Sequence, residues 1–478
     1  MRGDHLYFND IKKDYIRVHY NLIKPYWANV QNNILSVPGM KGGHLIESQE
    51  DVLMISVPVT VNKGNFASVN RAKEDMAGWL LTKEPKALRF SDDVERTYYA
   101  KIDGEFEVSK KLIDAEKGVI TFICPEPHKY ATERTAILGG QGTIINVEGT
   151  ASTKPIFELD ITASTTYITV ANDKNEYMML GSPSRMNFQT YEQNTIVLND
   201  TCTSLTGWAV ADNVDNGYVA GNVLATPTGF IPETFGGAIT PYAWQGPSIK
   251  TSLSRPLQDF RMDVLVEILN VGNGTGMIEI YLKDSANNIV AKIGIENVWR
   301  GTEQNQGKFQ LGNLTNREQY YRQADYAPAW NNFNGMLRVY RAGNRFRPYF
   351  ALIQPDGKHV WVSSSYVYTD YGNEYAAPIT QVQVAMRIWP ITEQADMTVK
   401  DIKVWEMNKQ EEKVPYIANA GDKVIFNHQT GELLINGEDR KDIKDFGARY
   451  FDLKPGNNTF AILPDNVTGT VKWRPAYK

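Results

Sequence analysis

Metal ligation is the first chemistry the polar residues of this chain could perform, and spacing argues against it. The histidines, His5, His19, His44, His128, His359 and His428, form no i, i+4 pair, and none stands at ligand spacing from a cysteine. Nucleophilic catalysis fares no better. There is no G-x-S-x-G elbow, no S-x-x-K and no catalytic-cysteine context, and Cys124 closes an apolar run as a small core residue does. Paired carboxylates are harder to dismiss. Glu267, Glu279 and Glu296 fall in one tryptophan-rich region, and a glycosidase needs two carboxyls about 5–9.5 Å apart. Asp263 and Glu267, however, alternate along an apolar strand as a solvated face requires, and that reading is preferred for the whole set.

The surplus of aromatic and arginine side chains is the most informative feature. Residues 199–407 hold seven of the 10 tryptophans, together with 10 Arg and 7 Lys, against 6 Arg and 13 Lys in residues 1–135. In the stretch Met336–Ile353, Leu337 and Val339 point to one face of a strand while Arg338 and Tyr340 point to the other. After an Ala342-Gly343-Asn344 turn, Arg347 and Tyr349 alternate with Phe346 and Phe350, so a hairpin would gather Arg and Tyr on one face. Trp299, Arg300, Tyr320, Tyr321 and Trp330 stand in less regular segments, read as loops. Rings stack on the apolar faces of sugars, and guanidinium groups give fixed donors to hydroxyls or carboxylates. These nine residues are the candidate glycan contacts. The competing reading places most of the tryptophans in a core.

The elements that must position these residues are mostly strands. One helix is expected from Ser68 to Leu81, with Val69, Ala72, Met76 and Trp79 at helical spacing, Ser68 as its cap and Pro85 beyond its end. Short β-branched or alternating runs surround it, and the Pro125-Glu126-Pro127 break is expected to be a domain edge. From residue 139 onward the pattern is all-β. Seven short strands with turns such as Pro355-Asp356-Gly357 between them predict that residues 199–407 form a β-sandwich.

Composition bounds the function. The chain has 478 residues, 42% of them apolar, with 50 Lys and Arg against 55 Asp and Glu, a net charge of −5. That balance argues against a surface built to neutralise phosphates. The 2 cysteines exclude a disulfide scaffold and suit a reducing cytosol. No apolar leader or membrane-length apolar run is read.

The regions flanking the tryptophan-rich stretch resemble the distal tail protein family of long, flexible-tailed phages. The resemblance rests on an ordered series of pieces. Val37-Pro38-Gly39 is followed by Gly42-Gly43, Gly78-Trp79-Leu80-Leu81, Leu88-Arg89-Phe90-Ser91-Asp92-Asp93 and Tyr98-Tyr99-Ala100-Lys101-Ile102. The first series closes with Gly118-Val119-Ile120-Thr121-Phe122-Ile123-Cys124-Pro125-Glu126-Pro127-His128-Lys129-Tyr130. A second domain opens at Asn146-Val147-Glu148-Gly149-Thr150 with Pro155-Ile156, and finishes at Leu453-Lys454-Pro455-Gly456-Asn457-Asn458 and Val471-Lys472-Trp473-Arg474.

The resemblance implies a mainly β chain. Residues 1–135 would be a ring-forming, β-barrel-like domain with one helix, in which Trp27 and Trp79 are read as core. Residues 136–198 and 408–478 would be a galectin-like β-sandwich, split by a jelly-roll-like, carbohydrate-binding-like module at 199–407. It further implies a virion structural protein at the tail tip, assembled in the bacterial cytoplasm, with no enzyme activity, cofactor or metal. Six copies would ring a DNA channel. Partners would be the tail tube protein, the tail-tip protein, a receptor-binding protein and a host cell-wall polysaccharide, with no membrane. Two alternatives stand beside it: a tail-associated glycan hydrolase with its site in the insert, and a hub whose insert only contacts other tail proteins.

Overall fold

The structure is a computed structural model. It describes residues 5–478 apart from 20, 21, 23, 40, 63–65, 112–114, 140, 184–188, 271, 273, 314–316 and 410–412, and the side chains of these apart from 66–70, 107, 109–111 and 141. The chain divides into two compact units, one of residues 1–181, 420–433 and 441–478, the other of residues 182–419 and 434–440.

The first unit begins with an antiparallel, barrel-like sheet. Its order is Leu6–Phe8, Lys86–Phe90, Asp93–Ile102, Ala115–Cys124, Leu53–Asn62 and Ile16–Val18, with Glu107–Lys111 also paired to Ala115–Cys124. Alternation makes the interior: Leu53, Ile55, Val57, Val59 and Val61 point inward along one strand. The helix spans Phe66–Leu80, so Ser68 lies inside its first turn rather than at its cap. Ala72, Met76, Trp79 and Leu80 share its buried face and join the same core. The Trp79 indole N–H donates to the Phe8 carbonyl at 2.9 Å. Trp27, expected in the core, is 69% exposed instead. It precedes the hairpin Val30–Leu35/His44–Glu50, whose two strands pair, among the described residues, only with each other and are exposed throughout.

The second half of this unit is a galectin-like sandwich built from both sides of an interruption. One sheet runs Arg134–Gly139, Val467–Trp473, Ile156–Ile161, Lys423–Asn427, and the other runs Gln141–Val147, Gly456–Leu463, Tyr167–Asn172, Tyr177–Gly181. Phe157 pairs with Val471 on one side and Phe426 on the other, so residues about 310 and 270 positions apart are strand neighbours. The Pro125–Pro127 break does not separate compact units. The strand Lys129–Tyr130 pairs with Thr97 before it and with Ala476–Tyr477 at the far end of the chain.

His428 sits in this half among the rings of Phe157, Tyr450 and Phe451, and its Nδ1 accepts from the Phe451 N–H at 2.9 Å. Burial pushes its imidazole down to about 4. An unfolded histidine titrates near 6.5, so the unfolded chain takes the proton first. Stability from the neutral ring is complete above about pH 6.5 and is lost as pH falls toward the folded value. The melting midpoint of this unit is therefore expected to drop between pH 6.5 and 4, by up to about 3 kcal/mol of stability. His428→Gln should flatten that window in thermal melts run at stepped pH.

The second unit is a sandwich of two antiparallel sheets. A nine-stranded sheet runs Asn222–Thr226, Gly229–Thr234, Asp396–Met407, Phe260–Leu269, Phe333–Ala342, Arg345–Ile353, His359–Ser363, with Asn194–Asp200 and Tyr368–Thr369 on its flanks. A seven-stranded sheet runs Ala209–Val210, Ser248–Leu257, Ile379–Arg387, Gly276–Lys283, Ile289–Asn297, Gln306–Leu311, Glu318–Arg322. Between them lie Val264, Val266, Ile278, Ile280, Ile293, Phe309, Leu337, Val339 and Val384, all fully buried. This unit reaches beyond 199–407. Asn194 pairs with Met407, and Thr190–Tyr191 runs parallel to Val414–Pro415.

Candidate functional site

The hairpin foreseen at Ala342-Gly343-Asn344 forms, with Arg338 opposite Tyr349 and Tyr340 opposite Arg347. It belongs to the nine-stranded sheet, and its polar side chains are largely consumed. The Asp263 carboxylate takes paired hydrogen bonds from Arg338 (2.6 and 2.8 Å) and from Arg261 (2.9 and 2.6 Å). Arg338 also donates to both oxygens of Glu438, and its guanidinium stacks over Tyr349 at 4.8 Å. Tyr349 Oη lies 2.7 Å from His359 Nδ1. Burial opposes ionisation of Asp263, but the two arginines outweigh it and hold the carboxyl at about 2. The expectation that Asp263 is solvated is thus wrong: it is buried and doubly paired, while Glu267 pairs with Lys400 at 3.1 Å. Arg347 is exposed and Tyr340 half-buried on this sheet.

The outer face of the seven-stranded sheet is different. Every residue of Gly276–Lys283 is buried, because the sheet is covered on both faces. Ile278, Ile280 and Leu282 enter the apolar core. On the other face Glu279 and Tyr281 are packed with Lys292, Arg387 and Asp215. Lys292 Nζ bridges Asp215 and Glu279, 3.0 Å from each, and Arg387 pairs with Glu279, which also accepts from the Tyr281 hydroxyl at 2.8 Å. Burial disfavours the Glu279 anion, yet Arg387 and Lys292 hold it well below the usual carboxylate range.

Above these groups opens a cleft of about 470 Å3. Its floor includes Met277, Lys292, Glu296 and Arg387, and its rim carries Trp244, Trp299 and Tyr321. Trp299 is 62% exposed and Tyr321 49%. Glu296, expected to be solvated, is buried. It accepts from the Gln306 amide at 2.8 Å, and burial raises its pKa. Register explains the rim: Tyr321 lies opposite Lys308 and faces the cleft, whereas Tyr320 lies opposite Phe309 and packs inward against Tyr366 and Tyr368.

The structure therefore divides the nine candidate residues. Trp299 and Tyr321 share the cleft, and exposed Arg300 follows Trp299 in the chain. Arg338, Tyr340, Arg347 and Tyr349 belong to the other sheet. Trp330 is a correction: it is fully buried on Phe333 and Phe350, with its indole N–H given to the Trp361 carbonyl at 2.9 Å. Its short 3-10 turn, Ala327–Trp330, tucks the ring inward rather than leaving it on a loop. Trp244, Gln306, Lys308 and Arg317 were not foreseen. The alternation of Gln306 and Lys308 about Gly307 was a usable signal, but Trp244 comes from a remote segment. Among the described residues no cluster of three or more His, Cys, Asp or Glu could hold a metal, and no helix is long and apolar enough to cross a membrane.

Two family models match the chain. Residues 13–124 match the phage tail protein RIFT-related domain, and residues 385–477 match the siphovirus-type tail component, C-terminal domain. The barrel-like sheet falls in the first of these matches, and the split sandwich closes in the second. At both ends the chain resembles the distal tail proteins of the siphovirus type, with a second β-sandwich set into its C-terminal domain. No curated protein matches it. Among solved structures, it is similar to the SPP1 Dit protein, described as a hub of the adsorption apparatus in phages infecting Gram-positive bacteria. The identity is 19% over 38% of this chain and 75% of that one, with a TM-score of 0.34. The CBM2 module of the evolved Dit of Lactobacillus casei BL23 phage J-1 matches at 15% identity over 46% of this chain and 98% of that one (TM-score 0.37). An endo-beta-1,3-glucanase from Pyrococcus furiosus matches at 12% identity over 46% and 97% (TM-score 0.33).

Proposed function

We propose that this chain is a distal tail protein and a hexameric hub at the tail tip. Its ring would enclose the DNA channel and join the tail tube to the tip protein, and its inserted sandwich would bind host cell-wall glycans. In this reading the chain has three domains: residues 1–135, the split 136–198 with 408–478, and the insert. The cleft of the insert carries the adhesive part. Exposed Trp299 and Tyr321 stand at the rim of a groove whose floor offers charged donors, the combination that holds a sugar ring by stacking on one face and hydrogen bonding at its edge. The exposed hairpin before residue 51, with Val30, Ile34, Leu35, Leu45 and Ile46 in solvent, supports association of copies, since an isolated ribbon cannot cover its own apolar side chains. A net charge of −5 suits a lumen that lets DNA pass without binding it.

Hydrolysis fits the cleft less well. Glu279 is buried and already engaged by Tyr281, Lys292 and Arg387, so it is not free to act as nucleophile or base beside Glu296. The test is sedimentation of the full chain with purified host cell wall. Trp299→Ala combined with Tyr321→Ala should reduce the bound fraction at least about tenfold, at about 1–2 kcal/mol per lost stacking contact. It should leave the melting temperature unchanged. Unaltered binding by the double variant would reject the cleft as the adhesive site.

A further inference from the structure

We propose that the cleft is built for an anionic polysaccharide, one whose repeat carries a carboxylate or a phosphodiester, and not for a neutral glucan. This deepens the glycan-binding reading and rests on it. Four cationic side chains line the cleft, Lys292, Lys308, Arg317 and Arg387, against two carboxylates, Asp215 and Glu296. Glu279 beneath the floor supplies a third carboxylate, so the site keeps one cation in excess.

How these groups are engaged matters more than the count. Asp215 and Glu279 are spent on Lys292 and Arg387. Lys308 reaches only 3.9 Å from Glu296, the far limit of an ion pair, and rests over the Tyr321 ring at 5.6 Å. Arg317 is exposed, and among the described residues no carboxylate pairs with it. Arg387 is 2% exposed, yet among the described residues its Nε–H has no acceptor. A buried guanidinium donor without an acceptor is costly, and an anionic oxygen is the partner that compensates it best. Burial raises the Glu296 pKa, which weakens the one carboxylate that would repel such a ligand.

The rim completes the arrangement. Trp299 and Tyr321 can take the sugar ring while Lys308 and Arg317 take its charged substituent. The chain as a whole does not favour polyanions. Its net charge of −5 repels them, so attraction to one would have to come from a local site.

The test is affinity electrophoresis of the full-length chain in gels containing laminarin, polygalacturonate or poly(glycerol phosphate). These probe a neutral glucan, a carboxylate polymer and a phosphodiester polymer. Retardation by one of the two polyanions, weakened by added salt, is expected, and which one retards the chain decides between carboxylate and phosphate. The Lys308→Gln, Arg317→Gln double variant should lose about tenfold or more of that affinity, the loss of at least one charge-assisted contact. Trp299→Ala should weaken it as well, which a merely basic patch would not do. Retardation by laminarin that equals or exceeds that by the polyanions, survives the double variant and is lost in Trp299→Ala would overturn the anionic preference while leaving glycan binding intact. Failure of all three polymers to retard the chain would overturn both.

Discussion

Glu279→Gln is expected to destabilise the second unit by about 3–5 kcal/mol, because it removes one side of a buried ion pair and leaves the other charge uncompensated. Glu279 is 2% exposed, and the charges it holds, Arg387 and Lys292, are each 2% exposed as well. Lys292 retains Asp215, but among the described residues Arg387 would keep no carboxylate, and its Nε–H already has no acceptor. The change is nearly isosteric, so packing does not confuse the result. Seven of the 10 tryptophans fall between Trp208 and Trp405, inside this unit, which makes urea unfolding followed by tryptophan emission a report on this unit above all. A loss below about 1 kcal/mol would mean that the floor of the cleft is hydrated rather than a closed ion cluster.

Trp330→Ala should be nearly as damaging, at about 3–5 kcal/mol, whereas Trp299→Ala should stay within about 0.5 kcal/mol of the parent. The two residues have the same side chain and lie in the same unit. Trp330 is fully buried on Phe333 and Phe350 and gives its N–H to Trp361, so truncation opens a large cavity and orphans a carbonyl. Trp299 is mostly in solvent at the rim of the cleft and loses little when cut back. Thermal denaturation of both variants with the parent measures the contrast. Equal effects would contradict the assignment of one ring to packing and the other to recognition.

That pair also marks what the sequence made legible. Period-two alternation and turn residues were enough for the strands of the sandwich and for the hairpin at Gly343, because those signals are local. The helix is readable from its 3–4 spacing, although the chain enters it at Phe66, two residues before the expected cap at Ser68. The split of the galectin-like sandwich came from a resemblance and a shift in composition, and the pairing of Phe157 with both Phe426 and Val471 is its structural counterpart. Burial was the illegible part. Nothing in the spacing of Trp299 and Trp330 tells which ring turns inward, since that depends on a 3-10 turn and on strands far away in the chain. Glu279 and Glu296 likewise read as solvated because alternation cannot reveal that a sheet is covered on its second face. Trp27 failed in the opposite direction, read as core but left in solvent beside an unaccompanied hairpin.

The claim that this chain is the ring-forming hub of a phage tail is tested most directly by its molar mass in solution. Light scattering on a sizing column, over a range of loading concentrations, gives that mass without reference to shape. Six copies of a 53.9 kDa chain, about 323 kDa, or twice that for two rings back to back, is the result expected of a hub that closes on itself. A single 53.9 kDa species at every concentration would contradict it.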